Sequence, residues 1–332
     1  MEFQKINEGK INVFIPVETK VSRKLPVFYN PVMKFNRDVS VLILKQLKKE
    51  DMQIALPLSG TGVRGVRFLK ELPSKMIKEI YFNDNSEKAI GLIKKNLEIN
   101  NIKNKFTISN LDANEFLVKG FGFDYIEIDP FGSPNHFLSN SVMRLSRDGI
   151  LAVTATDTAA LSGTYKKACE RKYWAIPKKN ELMHEIGLRI LIRKVQLIGM
   201  DFEKALIPIY SYSRDHYMRI FFRCDKGKKK CDEISKQLGM FEEAGPMWLG
   251  PLKEIKLKSD DEFIKLINNE LDVLGFYDLH ALAKKGEISS LPKIEKLIEE
   301  IKKTKYKASR THFSLTAIKT DMSKEEFLKC LK

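Results

Sequence analysis

Apolar runs alternate with amphipathic stretches over residues 52–157 of this chain. Short runs rich in β-branched and aromatic residues predict buried strands, and the segments between them, with apolar residues three or four positions apart, predict helices. Because neighbouring parallel strands need helical crossovers, the alternation predicts an α/β fold with a doubly wound parallel sheet. The predicted strands are residues 52–58, 79–83, 106–109, 123–129 and 150–157.

After residue 157 the pattern predicts a loop, a long helix and then a strand pair that completes the first sheet. These elements lie at 159–165, 182–197, 206–213 and 217–223. The lysine-rich stretch 225–232 marks the boundary to a smaller C-terminal α+β domain in which helical patterns predominate. We therefore predict one domain over residues 1–223 and a second over 224–332.

A helix is also predicted near the N-terminus, over residues 39–47, with Asn36 or Asp38 as its capping residue. Arg37 lies at the start of this helix, where a cation opposes the helix dipole. Such a position favours an anionic partner for Arg37, although an ordinary solvent-exposed arginine fits the pattern equally well.

A glycine-rich loop follows the first strand of the predicted sheet. Gly60, Gly62 and Gly65 form G-x-G-x-x-G between a strand and a helix, the context in which this motif binds a nucleotide. Asp84 ends the next strand about twenty residues further on, where a carboxylate accepts hydrogen bonds from ribose hydroxyls. A nicotinamide dehydrogenase and a methyltransferase that uses S-adenosylmethionine fit these features equally well.

A second acid, Asp112, follows the third strand. Its carboxylate can accept a hydrogen bond from an adenine amino group, and the Ala113 N–H can donate to a ring nitrogen. Asp112 is equally suited to cap the helix that begins there, and the two roles are compatible.

The fourth strand ends in Asp129, Pro130 and Phe131. Ligands of open α/β sheets bind beyond the strand carboxyl ends, so this stretch is a candidate reaction centre, although a capped turn is the alternative. Methylation of an exocyclic aromatic amine requires acceptors aimed at its N–H bonds, because its lone pair is delocalised. Asp129 and the Pro130 carbonyl supply acceptors, and Phe131 supplies a ring to stack on a base.

The chain is strongly basic, with 58 Lys and Arg against 43 Asp and Glu, a net charge of +15. This charge favours a polyanionic partner, although Lys- and Glu-rich surfaces also occur in proteins from hot environments. We assign nucleic-acid phosphate contacts to lysines in two clusters, and base stacking to two aromatic residues near the N-terminus. The residues are Lys228, Lys229, Lys305 and Lys307, with Phe28 and Tyr29. Basic pairs also occur at 166–167, 171–172 and 178–179, and Trp174 and Trp248 are interpreted as packing anchors, with stacking as the alternative.

The four cysteines form no C-x-x-C pair, which argues against a zinc ribbon and a disulfide framework. No apolar run is long enough to span a bilayer, and the N-terminus lacks a signal-peptide core. We therefore expect a cytoplasmic protein without a membrane partner.

Several motifs occur together in order. They are 28–31 (FYNP), 36–38 (NRD), 59–68 (SGTGVRGVRF), 83–84 (ND), 129–134 (DPFGSP), 154–158 (TATDT), 245–251 (GPMWLGP) and 309–313 (SRTHF). The ordered set, which extends over most of the chain, resembles the tRNA guanine-26 N2,N2-dimethyltransferase family of archaea and eukaryotes. Single motifs of the set are shared with other amino-methyltransferases.

The resemblance implies a Rossmann-like class I methyltransferase sheet and S-adenosylmethionine as methyl donor. It also implies two successive methylations on N2 of the guanine between the D arm and the anticodon arm of tRNA. Catalysis is carried by position onto Asp129. Cofactor binding is carried onto Arg37, Arg64 or Arg67, Asp84, Asp112 and Ala113, in addition to the loop glycines Gly60 and Gly62.

The chain departs from this family in one respect. Many members carry a cysteine cluster before the Gly-Pro-x-Trp-x-Gly-Pro stretch, whereas this chain has only Cys224 and Cys231 there. Two thiols do not complete a tetrahedral zinc site, so no zinc is predicted. The alternatives to the guanine enzyme are an N6-adenine or other exocyclic-amine methyltransferase, and a non-catalytic RNA-binding protein with a vestigial fold; a dehydrogenase ranks last.

Overall fold

The computed structural model describes residues 2–17, 27–288 and 291–331. Contacts between Cα atoms divide the chain into two compact units, each built from several segments. The sequence predicted a single boundary after residue 223 instead. The first unit comprises Met1–Thr156, Ile198–Ile207 and Phe221–Cys231, and the second comprises Asp157–Leu197, Pro208–Ile220 and Asp232–Lys332.

The elements up to residue 155 alternate between strand and helix after an initial hairpin. They are β1 (Phe3–Glu8), β2 (Ile11–Pro16), α1 (Lys34–Leu47), β3 (Met52–Leu56), α2 (Val63–Glu71), β4 (Ile77–Asn83), α3 (Glu87–Ile99), β5 (Phe106–Ser109), α4 (Ala113–Lys119), β6 (Phe123–Ile128), α5 (Asn135–Arg144) and β7 (Leu145–Ala155).

The elements from residue 158 onward do not alternate regularly between strand and helix. They are α6 (Thr158–Leu161), α7 (Lys166–Tyr173), α8 (Met183–Asp201), β8 (Lys204–Arg214), β9 (Tyr217–Lys226), α9 (Lys228–Ser235), β10 (Leu238–Phe241), β11 (Ala244–Trp248), α10 (Glu262–Asn269), β12 (Tyr277–Asp278), α11 (Leu279–Lys284), α12 (Ile294–Lys302), β13 (Ala308–Arg310), β14 (Ala317–Thr320) and α13 (Lys324–Lys329).

A seven-stranded sheet has the order β5-β4-β3-β6-β7-β9-β8, and the pairs from β5 to β7 are parallel. In the centre, Ile54 lies opposite Ile80 on one side and Tyr125 on the other, and all three are fully buried. This order confirms the predicted Rossmann-like α/β fold, including the strand pair that completes the sheet. Because β3, β4 and β6 are adjacent and parallel, their carboxyl ends meet at one edge.

The β1–β2 hairpin is hydrogen-bonded to α3 through two asparagines. The side chain of Asn96 accepts from the Phe14 N–H at 2.7 Å and donates to the Phe14 carbonyl at 3.1 Å. The side chain of Asn100 makes the same pair of bonds with Asn12. The two side-chain amides thus bond to the backbone of β2 as a neighbouring strand would. The hairpin that they hold in place brings Glu8 against α1 and α2.

Two local predictions were wrong. Helix α1 begins at Lys34, so Asn36 and Asp38 lie within the helix and do not cap it. Asn36 instead donates to the Thr154 hydroxyl at 3.2 Å, and Asp38 pairs with Lys34 and Arg67. The stretch predicted as a loop at 159–165 contains most of α6, a short helix that polar residues flank.

The second unit has the α+β character that was predicted for the C-terminal part. Besides parts of β8 and β9, it contains a β10–β11 hairpin and a three-stranded sheet of order β12-β14-β13. Helices α11, α12 and α13 pack apolar residues such as Leu297 and Phe327 onto the three-stranded sheet, with Ile318 at its centre. None of the helices in the described part of the chain is long and apolar enough to cross a membrane.

Candidate active site

A cavity of about 420 Å³ lies in the first unit, beyond the carboxyl ends of β3, β4 and β6. Its volume falls in the range of small-molecule sites, roughly 300–1,000 Å³. The lining comes from residues 27–37, the loops after these three strands, and the starts of α2, α3 and α5. The sequence-predicted residues among the lining are Phe28, Tyr29, Arg37, Gly60, Arg64, Asp84, Asp129, Pro130 and Phe131.

The glycine loop turns sharply between β3 and α2. Gly60 and Gly62 have φ values of +53° and +73°, in the left-handed region that side chains disfavour. A Cβ atom on Gly60 would also lie 2.9 Å from the Phe28 carbonyl oxygen. Gly60 is therefore required for the loop to approach the 27–31 segment, whereas Gly62, which lies outside the cavity lining, is required by the turn itself.

Asp84 closes the cavity beyond β4. Its Oδ2 accepts from the Gly60 N–H at 2.8 Å and its Oδ1 accepts from the Ser86 N–H at 3.0 Å. Burial raises the pKa of this carboxyl, whereas the N–H groups of Ser86 and Gly60 lower it. Each carboxylate oxygen retains a second lone pair, so Asp84 can accept from a ribose hydroxyl while it holds the loop.

Arg37 lies at the cavity wall and is clamped by Glu8 of the β1–β2 hairpin. Its Nε and Nη2 donate to the two oxygens of Glu8 at 2.7 and 2.5 Å, and both Nη atoms reach the Asn30 carbonyl at 3.3 Å. The Tyr29 hydroxyl donates to the same carboxylate at 2.9 Å. Arg37 therefore has a fixed orientation, with its cationic charge largely balanced by Glu8.

Glu8 is almost completely buried and remains ionised. Burial alone would raise its pKa, but the hydrogen bonds and charge of Arg37, together with Tyr29 and Arg67, lower it to about 2. Burial and the Glu8 charge raise the pKa of Tyr29 to about 12. Glu8 thus organises one wall of the cavity, and no pattern in the sequence marked it.

Arg67 lies outside the lining of the cavity. Its guanidinium donates to Glu71 at 2.6 Å, Asp38 at 2.6 Å and Glu8 at 3.1 Å, and the residue is only 3% exposed. The structure does not bring Arg67 to the predicted cofactor position. It makes Arg67 a second cation that supports Glu8.

Asp112 and Ala113 also lie outside this lining. Asp112 caps α4, since its Oδ1 accepts from the Asn114 and Glu115 N–H groups at 2.8 and 3.3 Å. This was the alternative interpretation of the acid. An adenine contact of these two residues stays a prediction.

Asp129 follows β6 directly, and its carboxylate faces Arg64 on α2. Nη2 of Arg64 donates to Oδ2 of Asp129 at 2.6 Å, and Nη1 donates to the Ser40 hydroxyl at 2.7 Å. Nη1 also lies 3.5 Å from Oε2 of Glu127, a buried acid on β6. Arg64 was predicted as a cofactor contact; the structure brings it to the predicted catalytic acid as well.

Two phenylalanines meet at the mouth of the cavity. The rings of Phe28 and Phe131 lie edge to face, with their centroids 4.3 Å apart, and Phe131 is 40% exposed. The loop that carries Phe131 is held by Gly132, whose N–H donates to the Thr156 hydroxyl at 2.6 Å. Two aromatic rings therefore lie next to Asp129, and one of them, that of Phe131, is on a fixed loop.

The sequence-based interpretation missed other lining residues besides Glu8. Glu127 and Ser59 line the cavity, as does His136 at the start of α5. Glu127 lies between Ile126 and Ile128 in the buried half of β6, and an acid between apolar strand residues was the signal that could have marked it. Its carboxylate accepts from the Tyr125 hydroxyl at 2.5 Å.

The four lysines predicted to contact tRNA lie on exposed parts of the two units. Lys228 and Lys229 open α9 in the first unit, and Lys228 is 3.4 Å from Glu203. Lys305 and Lys307 follow α12 in the second unit, where Lys305 lies over the Tyr306 ring. All four side chains are available to a polyanion.

Cys224 and Cys231 are both buried. Burial raises the pKa of the Cys224 thiol to about 11, although Lys204 lowers it in part, so it is protonated near neutral pH. Within the described ranges, no group of three or more His, Cys, Asp or Glu side chains is arranged to hold a metal ion.

Comparisons with known proteins point to a single family. A family model for N2,N2-dimethylguanosine tRNA methyltransferase matches residues 6–244 and 239–332. A tRNA (guanine(26)-N(2))-dimethyltransferase of Pyrococcus furiosus is 38% identical over 100% of this chain and 99% of its own. A tRNA (guanine(26)-N(2)/guanine(27)-N(2))-dimethyltransferase of Aquifex aeolicus is 37% identical over 98% and 94%.

Among solved structures, a complex of Trm1 from Pyrococcus horikoshii with S-adenosyl-L-methionine superposes with a TM-score of 0.90. The two proteins are 35% identical, and the match covers 99% of this chain and 100% of the other. The likeness therefore extends to the entire chain rather than to the sheet domain alone.

Proposed function

Since this chain belongs to the N2,N2-dimethylguanosine tRNA methyltransferase family, we propose that its cavity transfers two methyl groups from S-adenosylmethionine to N2 of guanine 26 in tRNA. The observation that carries the proposal is the Arg64–Asp129 pair at 2.6 Å, which places an oriented carboxylate in the cavity beside Phe131. The proposed substrate also implies a cytoplasmic location.

The lining of the cavity fits the cofactor in volume and chemistry. Asp84 offers an acceptor for ribose hydroxyls beside the glycine loop, and Arg37, which also lines the cavity, offers a guanidinium of fixed orientation. When bound there, S-adenosylmethionine supplies an electrophilic methyl group. We assign cofactor contacts to Gly60, Gly62 and Asp84 first, and to Arg37 through its one remaining Nη1 N–H.

Asp129, Pro130 and Phe131 then act on the guanine. Phe131 and Phe28 receive the base, which must leave the RNA stack to enter the cavity. The Asp129 carboxylate and the Pro130 carbonyl accept the two N–H groups of the amine and direct its lone pair at the methyl carbon. Each transfer would form one N–C bond as the S–CH3 bond of the donor breaks, leave S-adenosylhomocysteine behind, and release one proton from nitrogen to solvent. After the first transfer one N–H remains, so one acceptor suffices to orient the second.

Arg64 keeps the Asp129 carboxylate in position. Of the three groups it contacts, Ser40 and Glu127 lie on buried parts of α1 and β6, which fixes the guanidinium from behind. A carboxylate held in one rotamer loses less entropy when it binds the amine. Arg64 is thus a positioning residue for the acceptor.

Labelled S-adenosylmethionine and unmodified tRNA transcripts test the proposal. Three transcripts are compared: one with guanine at 26 and 27, one with adenine at 26, and one with adenine at 27. We expect incorporation into the first and third transcripts and none into the second. If incorporation is lost only when position 27 is changed, the assignment of guanine 26 is contradicted. Equal incorporation into all three transcripts would show that neither guanine 26 nor guanine 27 is the methylated base.

The four exposed lysines are proposed to bind tRNA phosphates. Changing Lys228 and Lys229 to alanine, or Lys305 and Lys307, is expected to flatten the slope of log Kobs against log salt by about 2 per pair, because each phosphate contact releases a counterion. Filter binding between low and moderate salt measures the slope. The control pair is Lys75 and Lys119, which are exposed and paired with Glu50 and Glu115. An equal change in the control pair would contradict the assignment.

A further inference from the structure

The second unit carries an exposed tryptophan at the end of a basic helix. Trp174 was interpreted as a packing anchor, but 60% of it is exposed, whereas Trp248 is buried at 3%. The packing interpretation therefore holds for Trp248 and is wrong for Trp174. Exposure of so large an aromatic side chain is costly in water, which points to a partner that covers it.

The backbone at Trp174 is held on both sides. Its φ of +53° is left-handed, a conformation in which glycine is usual at the end of a helix. The Trp174 N–H donates to the Glu170 carbonyl at 3.1 Å, and Arg193 donates to the Trp174 carbonyl at 3.3 Å. Two residues later, Ile176 exchanges backbone hydrogen bonds with Gly245 at 2.6 and 2.8 Å. The ring therefore projects from a fixed backbone, and neither burial nor backbone preference explains a tryptophan here.

A cation lies against one face of the ring. Nζ of Lys194, a residue that is only 6% exposed, is 3.4 Å from the Trp174 ring centroid. Since this face is covered, the exposed surface of Trp174 consists mainly of the opposite face and the edges. A ring with a cation behind it and an open face in front is suited to stack on another planar group.

The helix that leads to Trp174 is positively charged. Of the eight residues of α7, four are exposed cations and one is an acid. The exposed Tyr165 occupies the position before the first residue of the helix, at its other end. The cations are Lys166, Lys167, Arg171 and Lys172. Aromatic side chains combined with a basic surface are the usual composition of a site for single-stranded nucleic acid.

We propose that Tyr165–Trp174 is a second contact with tRNA, in which the open face of Trp174 stacks on an unpaired base and the α7 cations bind the adjoining phosphates. This inference rests on the proposed function in one respect, that tRNA is the ligand. It adds a base contact in the second unit to the guanine that enters the cavity of the first.

The native protein provides its own probe, because it has two tryptophans and only Trp174 is exposed. Saturating a G26 transcript in the presence of S-adenosylhomocysteine is expected to quench tryptophan emission and to protect it from acrylamide. Trp174→Phe removes this signal but retains a ring for stacking. Absence of both quenching and protection, with tRNA bound by filter assay, would overturn the inference.

Trp174→Leu keeps an apolar side chain but removes the stacking face. We expect it to raise KM for tRNA about tenfold and to leave kcat within about twofold, whereas Trp174→Phe stays within about threefold of wild type in both. The matched control is Phe121→Leu, which removes an 82% exposed ring from the first unit and is expected to change neither constant.

The two hypotheses fail differently. If wild type binds and methylates tRNA but Trp174→Leu binds it equally well, only the second contact is wrong. If wild type binds no tRNA, both are wrong. A rise in KM of equal size for Trp174→Leu and Trp174→Phe would contradict stacking and leave only a steric effect of the indole.

Discussion

Replacing Asp129 with alanine is expected to lower kcat for methyl transfer about 10³-fold and to leave the affinity for S-adenosylhomocysteine within about threefold of wild type. The carboxylate is the oriented acceptor in the cavity, held by Arg64 at 2.6 Å. Without it, the amine is neither aligned nor stabilised as positive charge develops on nitrogen. The proposed cofactor contacts lie on the glycine loop and Asp84, which the substitution does not touch.

Single-turnover rates at saturating tRNA and calorimetric titration with S-adenosylhomocysteine separate these effects. Asp124→Ala is the matched control, because Asp124 lies at the other end of β6 and pairs with Lys49 at 2.8 Å. We expect its rate to stay within about threefold of wild type, as is usual for partly exposed ion pairs. Parallel loss of rate and cofactor affinity in Asp129→Ala would reassign Asp129 to folding.

Arg64→Lys refines this prediction. Lysine keeps the positive charge but lacks the planar fork that bridges Asp129 and Ser40. The rate is therefore expected to fall about tenfold to a hundredfold, between those of wild type and Asp129→Ala. A rate equal to wild type would show that the orientation of Asp129 does not depend on Arg64.

Replacing Glu8 with glutamine is expected to lower the free energy of unfolding at pH 7 by about 3 kcal/mol. The substitution leaves two buried cations, Arg37 and Arg67, without their shared anion. Because Arg37 and Tyr29 line the cavity, the affinity for S-adenosylhomocysteine should fall as well.

The pH dependence distinguishes this effect from ordinary loss of packing. The folded pKa of Glu8 is about 2, against 4.5 in a free side chain. A depressed pKa means that the unfolded chain binds the additional proton, so the stabilisation is complete above about pH 4.5 and is lost as pH falls toward 2. The difference between wild type and Glu8→Gln should therefore shrink between pH 5 and pH 3.

Urea unfolding at the two pH values measures this difference. Glu115→Gln is the control, since Glu115 forms an exposed ion pair with Lys119 and is expected to change stability by less than about 1 kcal/mol. A Glu8→Gln deficit that is no larger than that of the control, or that stays constant with pH, would contradict the role given to the buried carboxylate.

The parts of the cavity that could be predicted from the sequence lie next to regular elements. Asp84 and Asp129 end apolar runs of strand length, and Gly60 and Gly62 precede a helix, so their place at one edge of a parallel sheet follows from the pattern. Neighbouring strands bring these residues together although they are far apart in the chain.

The parts that could not be predicted depend on side-chain directions and distant partners. Glu8 lies 29 residues from Arg37 and 59 from Arg67, in a hairpin whose docking onto α3 depends on two asparagines. The spacing of apolar residues predicts which face of a helix is buried, but it does not predict which carboxylate an arginine contacts. For the same reason Arg67 was assigned to the cofactor, and Arg64 was not linked to Asp129.

The exposure of Trp174 is a further case. Tryptophan is usually buried, so the residue type favoured packing, whereas the structure places Trp174 at the left-handed end of α7 with its ring exposed. The neighbouring basic pairs were visible in the sequence, but they indicate a binding surface only in combination with the exposed ring that the structure places beside them.

The most direct test of the central claim compares two tRNAs that differ by the exocyclic amine alone. Wild-type protein and S-adenosylmethionine are incubated with tRNA that carries guanosine or inosine at position 26, and the digested nucleosides are analysed by mass spectrometry. The proposed mechanism predicts N2-methylguanosine followed by N2,N2-dimethylguanosine from the first tRNA and no methylated nucleoside from the second. Equal methylation of the inosine tRNA, or a methyl group on any atom other than N2, would contradict it.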